Sequence, residues 1–83
     1  MPEIIEDVQN IKCRRNENGL FDCDIPSSTG SRTYEGLEGL VLNNGNKKII
    51  IREDSFFDFS NRKKGANVKY FSDEKRLVID VGE

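Results

Sequence analysis

The amino-acid sequence predicts an all-β domain, a small six-stranded antiparallel barrel built from three hairpins, with one short helical turn before the last hairpin. Three observations lead there. Three segments repeat one pattern: an extended run rich in β-branched and aromatic residues, a polar turn with Gly, Asn or Asp, and a second extended run. Apolar runs never exceed three residues (Leu40 to Leu42, Ile49 to Ile51, Leu77 to Ile79), which suits strands and excludes a membrane-spanning helix. Six short strands leave edges that closure into a barrel removes, with an open antiparallel meander as the alternative.

The N-terminal "PEIIEDVQNI" holds Ile4, Ile5, Val8 and Ile11 at helix-compatible spacing with Pro2 in the first turn, and a strand running into Ile11 fits nearly as well. The first hairpin joins Ile11 to Arg15 with Leu20 to Ile25. A three-residue loop, Glu17-Asn18-Gly19, with Gly19 in the left-handed region puts Cys13 opposite Cys23 and Ile11 opposite Ile25. On the other side of the ribbon the same register opposes Lys12 to Asp24 and Arg14 to Asp22, so turn chemistry, apolar matching and charge agree. Pro26 to Gly36 is polar throughout and is read as the longest loop. The second hairpin runs from Leu37 to Leu42 and from Lys47 to Glu53. A Gly45-Asn46 turn sets Leu42 opposite Ile49 and Val41 opposite Ile50, and an Asn44-Gly45 turn slips this by one or two residues. Ser55 and Asp58 have capping-box spacing, which predicts a single helical turn near Ser55 to Ser60. The third hairpin pairs Asn67 to Phe71 with Arg76 to Val81 across "SDEK", with Tyr70 opposite Leu77 and Val68 opposite Ile79.

Eighty-three residues make one domain, residues 1–83, and at this size folding hides only about 60% of the surface of the extended chain. The barrel is OB-like or SH3-like. Its last segment, "KGANVKYFSDEKRLVIDV", resembles the closing hairpin of cold-shock-type OB domains over under a quarter of the chain. The aromatic RNA-binding motifs of that family are absent from the earlier strands, so the resemblance carries over no functional residue.

The chain has no His, which removes Ser-His and Cys-His nucleophilic catalysis and the commonest proton shuttle near neutral pH. Its two Cys are too few for a four-thiolate zinc site and too widely spaced for a Cys-x-x-Cys motif. Neither metal nor cofactor is expected. Cys13 and Cys23, a non-hydrogen-bonded cross-strand pair, are a disulfide staple or two reduced core residues. The pairs Asp22 with Asp24 and Glu53 with Asp54 have spacings that suit acid-base work, and facing Arg14 and Lys12 account for the first pair without it. "GLEG" lacks the flanking helices of a KH loop, and "TGSR" reads as a flexible loop. The chain is read as no enzyme. The first ten residues have neither a basic nor an apolar signal region, which points to a soluble, cytoplasmic protein or to a leader already removed.

Net charge is −2, which argues against strong duplex binding, but the charge is uneven: residues 1–46 carry a net −4 and residues 47–76 a net +4. In the basic part, Phe56, Phe57, Phe59, Tyr70 and Phe71 interleave with Arg62, Lys63, Lys64 and Lys69. Rings that stack on bases and cations that track phosphates are the equipment of a single-strand binder. The expected binding residues are Phe57, Phe59, Arg62, Lys63, Lys64, Lys69 and Phe71. The function expected is a non-enzymatic binding module for single-stranded nucleic acid or, since exposed rings also mark protein interfaces, for a protein partner.

Overall fold

A computed structural model describes residues 2–81, and among them the chain forms nine strands and no helix. They are β1 (Glu3–Val8), β2 (Asn10–Arg15), β3 (Phe21–Ile25), β4 (Arg32–Leu37), β5 (Gly39–Asn44), β6 (Lys47–Ile50), β7 (Ser55–Asp58), β8 (Ala66–Phe71) and β9 (Arg76–Val81). One sheet has the order β1-β8-β9-β5-β6 and the other β4-β3-β2-β7. All neighbours are antiparallel except β5 and β9, which run parallel from Gly39 beside Arg76 to Asn44 beside Val81. Among the described residues no helix is long and apolar enough to cross a membrane.

The three predicted hairpins are present in register. Cys13 faces Cys23, Lys12 faces Asp24 and Arg14 faces Asp22, with Gly19 at φ 79°. Asn16 N–H donates to Leu20 O, which makes Cys13 and Cys23 a non-hydrogen-bonded pair by alternation. In the second hairpin Leu42 faces Ile49 and Val41 faces Ile50, the register of the Gly45-Asn46 turn, with Gly45 at φ 64°. In the third, Tyr70 faces Leu77 and Val68 faces Ile79.

Three strands depart from expectation, each for a physical reason. The apolar spacing of three between Ile5, Val8 and Ile11 belongs to β1 and β2, not to a helix. A bulge between Ile5 and Val8, with Asp7 at φ 56°, inserts an extra residue, and the chain then turns at Gln9 into the other sheet. Within the expected loop, β4 forms because Tyr34 and Leu37 both reach the core; a register shift opposite Phe21 to Cys23 and Gly36 at φ 68° make their spacing three as well. The predicted helical turn at Ser55 is instead β7, laid along the open side of β2 with Phe57 beside Ile11. Three phenylalanines in four positions suit a pleated surface better than one helical turn, and the Asp58 carboxylate accepts from Ser60 N–H instead of capping Ser55. Segments 3–15 and 32–44 therefore each run through both sheets, with single-residue corners at Gln9 and Glu38.

Between the sheets lies one core, in which Ile11, Ile25, Leu37, Leu40, Leu77 and Ile79 are the bulkiest fully enclosed side chains. Each such burial is worth roughly 1.5–3 kcal/mol. Gly65 closes the corner of β1 against the loop before β8: a Cβ there would stand 2.2 Å from Val8 O, so no other residue fits without moving backbone. At one end the Tyr34 and Tyr70 rings pack with centroids 4.4 Å apart, and Tyr34 Oη donates to Glu3 Oε1 at 2.7 Å. Arg32 reaches the same oxygen at 2.6 Å. Burial, then the bond to Glu3, pushes the Tyr34 phenol above its ordinary value.

Candidate functional site

The outer face of the five-stranded sheet is built in three rows. Register partners share a face, so the middle row reads Ile4, Lys69, Val78, Val41, Ile50 across all five strands. Phe71 and Arg76 form the row nearest the turn at residues 72–75, and Asn67, Asp80, Asn43 and Lys48 form the row beyond. Val41 is buried yet lies outside the core cluster, because its cover comes from this outer face. The rows enclose a shallow depression of about 370 Å³. Val41 and Val78 are its floor, and Phe71, Arg76, Lys69 and Lys48 stand around it.

The Arg76 guanidinium carbon lies 5.2 Å from the centre of the Phe71 ring, a cation-π contact over one face of the ring. Arg76 Nη2 also meets Glu74 Oε2 at 3.2 Å, while its Nε is enclosed without a partner. Lys69 Nζ lies 3.3 Å from Asp80 Oδ2, and Asn43 Nδ2 donates to the other oxygen of that carboxylate at 3.0 Å. Among the described residues Lys48 holds no carboxylate. Exposed ion pairs of this kind contribute little on their own, so an incoming anion can exchange with them at small cost.

The residues expected from the sequence fall into three places. Lys69 and Phe71 are in the depression. Phe59 is 7% exposed, in the core, and Phe57 stacks on it at 6.2 Å with ring planes 4° apart, so β7 turns both away from any outer surface. Arg62, Lys63 and Lys64 lie in the loop between β7 and β8, at the opposite end of β8 from Phe71. At about 3.3 Å per residue, Lys64 is roughly 20 Å from that ring. The single aromatic and basic surface read from the sequence is therefore divided. Val41, Val78, Lys48 and Arg76 were not named as site residues: Val78 and Arg76 stand beside Lys69 and Phe71 through the predicted third hairpin, whereas Val41 and Lys48 join through the parallel pairing of β5 with β9, for which no local signal exists.

No protein-family model, curated protein or solved structure matches the chain.

A second depression, on the four-stranded sheet, has Phe56, 64% exposed, beside Lys12 and Arg14. Its cations lie opposite Asp24 and Asp22, with Asp54 on its rim, so this face carries its own anions. Beneath it, Cys13 and Cys23 are free, fully buried thiols, and the Cys23 Sγ donates to the Cys13 Sγ at 2.8 Å. That hydrogen bond first, burial next, and the nearby Cys13, Asp22 and Asp24 charges last push the Cys23 thiol far above its usual range.

Proposed function

We propose that the chain is a non-enzymatic binding module that takes single-stranded nucleic acid on the outer face of its five-stranded sheet. The observation that carries this reading is the convergence of one ring and three cations, Phe71 with Arg76, Lys69 and Lys48, around a depression floored by Val41 and Val78. A base stacks on a ring and an apolar floor whatever its identity, and flanking phosphates find the cations. The finer fold reading is a five-stranded, partly open barrel of the OB kind, in which the circuit β1/β2, β3, β4/β5, β9, β8 returns to β1 and β6 and β7 are additions. The parallel β5-β9 pair favours this over an SH3-like arrangement. In OB barrels the ligand face spans the second and third strands with the loops after the first and fourth. In this chain the outer residues of that face include Asp22, Asp24 and Glu35 near the first of those loops. The ring and cations lie by the second loop, residues 72–75, so binding is assigned to that side.

A protein partner is the second reading, favoured by Ile4 and Ile50, which are 55% and 61% exposed at the two ends of the middle row. Fluorescence anisotropy with labelled oligonucleotides of mixed sequence separates the two. Binding that weakens steeply with salt supports the nucleic-acid reading, because phosphate contacts release counterions. No binding at tens of micromolar protein in low salt rejects it and leaves the protein partner.

A further inference from the structure

The two edges of the five-stranded sheet are complementary to each other. One edge is β6, "KKII", paired with β5 on one side alone, with Ile49 46% and Ile50 61% exposed. Ile51 N–H donates to Leu40 O, so by alternation the backbone groups of Lys48 and Ile50 point away from the sheet. The other edge is β1, which pairs with β8 alone. Gly39 N–H donates to Lys75 O, which turns Arg76, and with it Val78 and Asp80, toward β8. Carried across β8, the same alternation leaves the backbone groups of Ile4 on the free edge.

Strand directions also match. Two antiparallel steps, one parallel step and a further antiparallel step from β1 to β6 leave β6 running opposite to β1. A second molecule in the same orientation therefore brings its β1 antiparallel to β6 of the first, outer face continuing outer face. In the register that joins Ile50 to Ile4, the pairs are Ile50 with Ile4, Ile49 with Ile5, and Lys48 with Glu6. Apolar residues meet apolar ones, and a lysine meets a carboxylate on the same face. The bulge after Glu6 ends the ladder there, and the Asp7 carboxylate stays on Gly65 N–H at 3.1 Å. Lysine on a free edge normally repels another strand; here the opposite edge of the same sheet carries its partner.

We propose that the molecule self-associates head to tail by pairing β6 of one copy with β1 of the next. The contact is heterologous and does not close on itself, so it grows with concentration, and a three-residue ladder makes it weak. The inference is independent of nucleic acid, and its test omits it. Sedimentation velocity and amide chemical shifts are followed from tens of micromolar to about 1 mM protein, where millimolar dissociation constants are measurable. The expected result is concentration-dependent association, with shifts confined to β6 and β1. Lys48→Glu and Glu6→Lys, both at exposed positions, should each weaken association about tenfold, since like charges then face each other across the strands. Mixing the two variants should restore it, because each supplies the charge that the other lacks. Three results overturn the proposal: a monomer at every concentration, no response to Glu6→Lys, or no recovery in the mixture. Loss on Lys48→Glu with no effect of Glu6→Lys would mean β6 pairing with β6.

Discussion

The outer faces of the two sheets cover one core and use their exposed residues differently. On the four-stranded sheet two of the three cations of β2 lie opposite carboxylates of β3: Lys12 faces Asp24 and Arg14 faces Asp22, while Arg15 faces Phe21. Its exposed ring, Phe56, stands alone at the edge beside Lys12. On the five-stranded sheet the positions between charges are apolar, Val41, Val78 and Phe71, and the cations Lys48, Lys69 and Arg76 stand around them. The cations of the five-stranded sheet surround a depression with an apolar floor, whereas those of the four-stranded sheet lie among carboxylates, and that difference is why binding is proposed on the five-stranded sheet.

Removing the ring should break the comparison most strongly. Phe71→Ala should weaken oligonucleotide binding about five- to a hundred-fold, since one stacked base is worth roughly 1–3 kcal/mol. Anisotropy titration reads the loss, and an unchanged thermal midpoint shows that the fold survives. The matching change on the other face, Phe56→Ala, should leave binding within about twofold. Equal losses from both would mean that the faces do not differ.

Charge sharpens the same comparison at a smaller scale. Lys48→Glu should lower affinity several-fold and reduce the slope of log affinity against log salt by about one phosphate contact. Reversing Lys63 and Lys64, roughly 20 Å from Phe71 along β8, should change affinity by less than Lys48→Glu alone. A larger loss from the loop lysines would move the site to the corner at Gly65.

A third difference lies under the sheets. Cys23 and Tyr34, on β3 and β4 of the four-stranded sheet, both have folded-state values pushed up, the first mainly by its bond to Cys13 and the second mainly by burial. A raised value means that the unfolded chain loses its proton first. Stability from these groups is whole below the ordinary thiol value, near 9.0, and is lost as pH rises beyond it. Urea midpoints should therefore be flat between about pH 6 and 8 and fall above about pH 9. Cys23→Ala should lower the midpoint at every pH, through the cavity it leaves, and flatten the decline. An equally steep decline in that variant would show that Cys23 is not its source.

The sequence made the hairpins legible because each register is written several times over, in the turn, in the apolar pairs and in the charges. Cys13 opposite Cys23 and Tyr70 opposite Leu77 needed nothing from elsewhere in the chain. It hid β1, β4 and β7 for two reasons. Bulges at Asp7 and Gly36 stretch the spacing of inward residues from two to three, which imitates a helix in one case and a loop in the other. In β7, Ser55 to Asp58 becomes a strand only because β2 offers an open edge, and that choice sends Phe57 and Phe59 inward. Part of the proposed binding face shared this fate. Alternation along β8 was enough to find Lys69 and Phe71, and the third hairpin already set Arg76 and Val78 beside them, whereas Val41 and Lys48 join only where β5 and β9 run parallel, strands more than thirty residues apart in the chain.

Amide chemical-shift mapping during titration with an unlabelled mixed-sequence oligonucleotide separates the five-stranded sheet from the four-stranded one as the proposed ligand surface. The expected shifts saturate together and cluster at Val41 and Asn43 on β5, Lys48 on β6, Lys69 and Phe71 on β8, and Arg76 to Asp80 on β9, with β2, β3 and β7 unmoved. Shifts centred on Lys12, Arg14 and Phe56, or none at protein concentrations of about 1 mM, where even millimolar affinities register, would contradict the proposal.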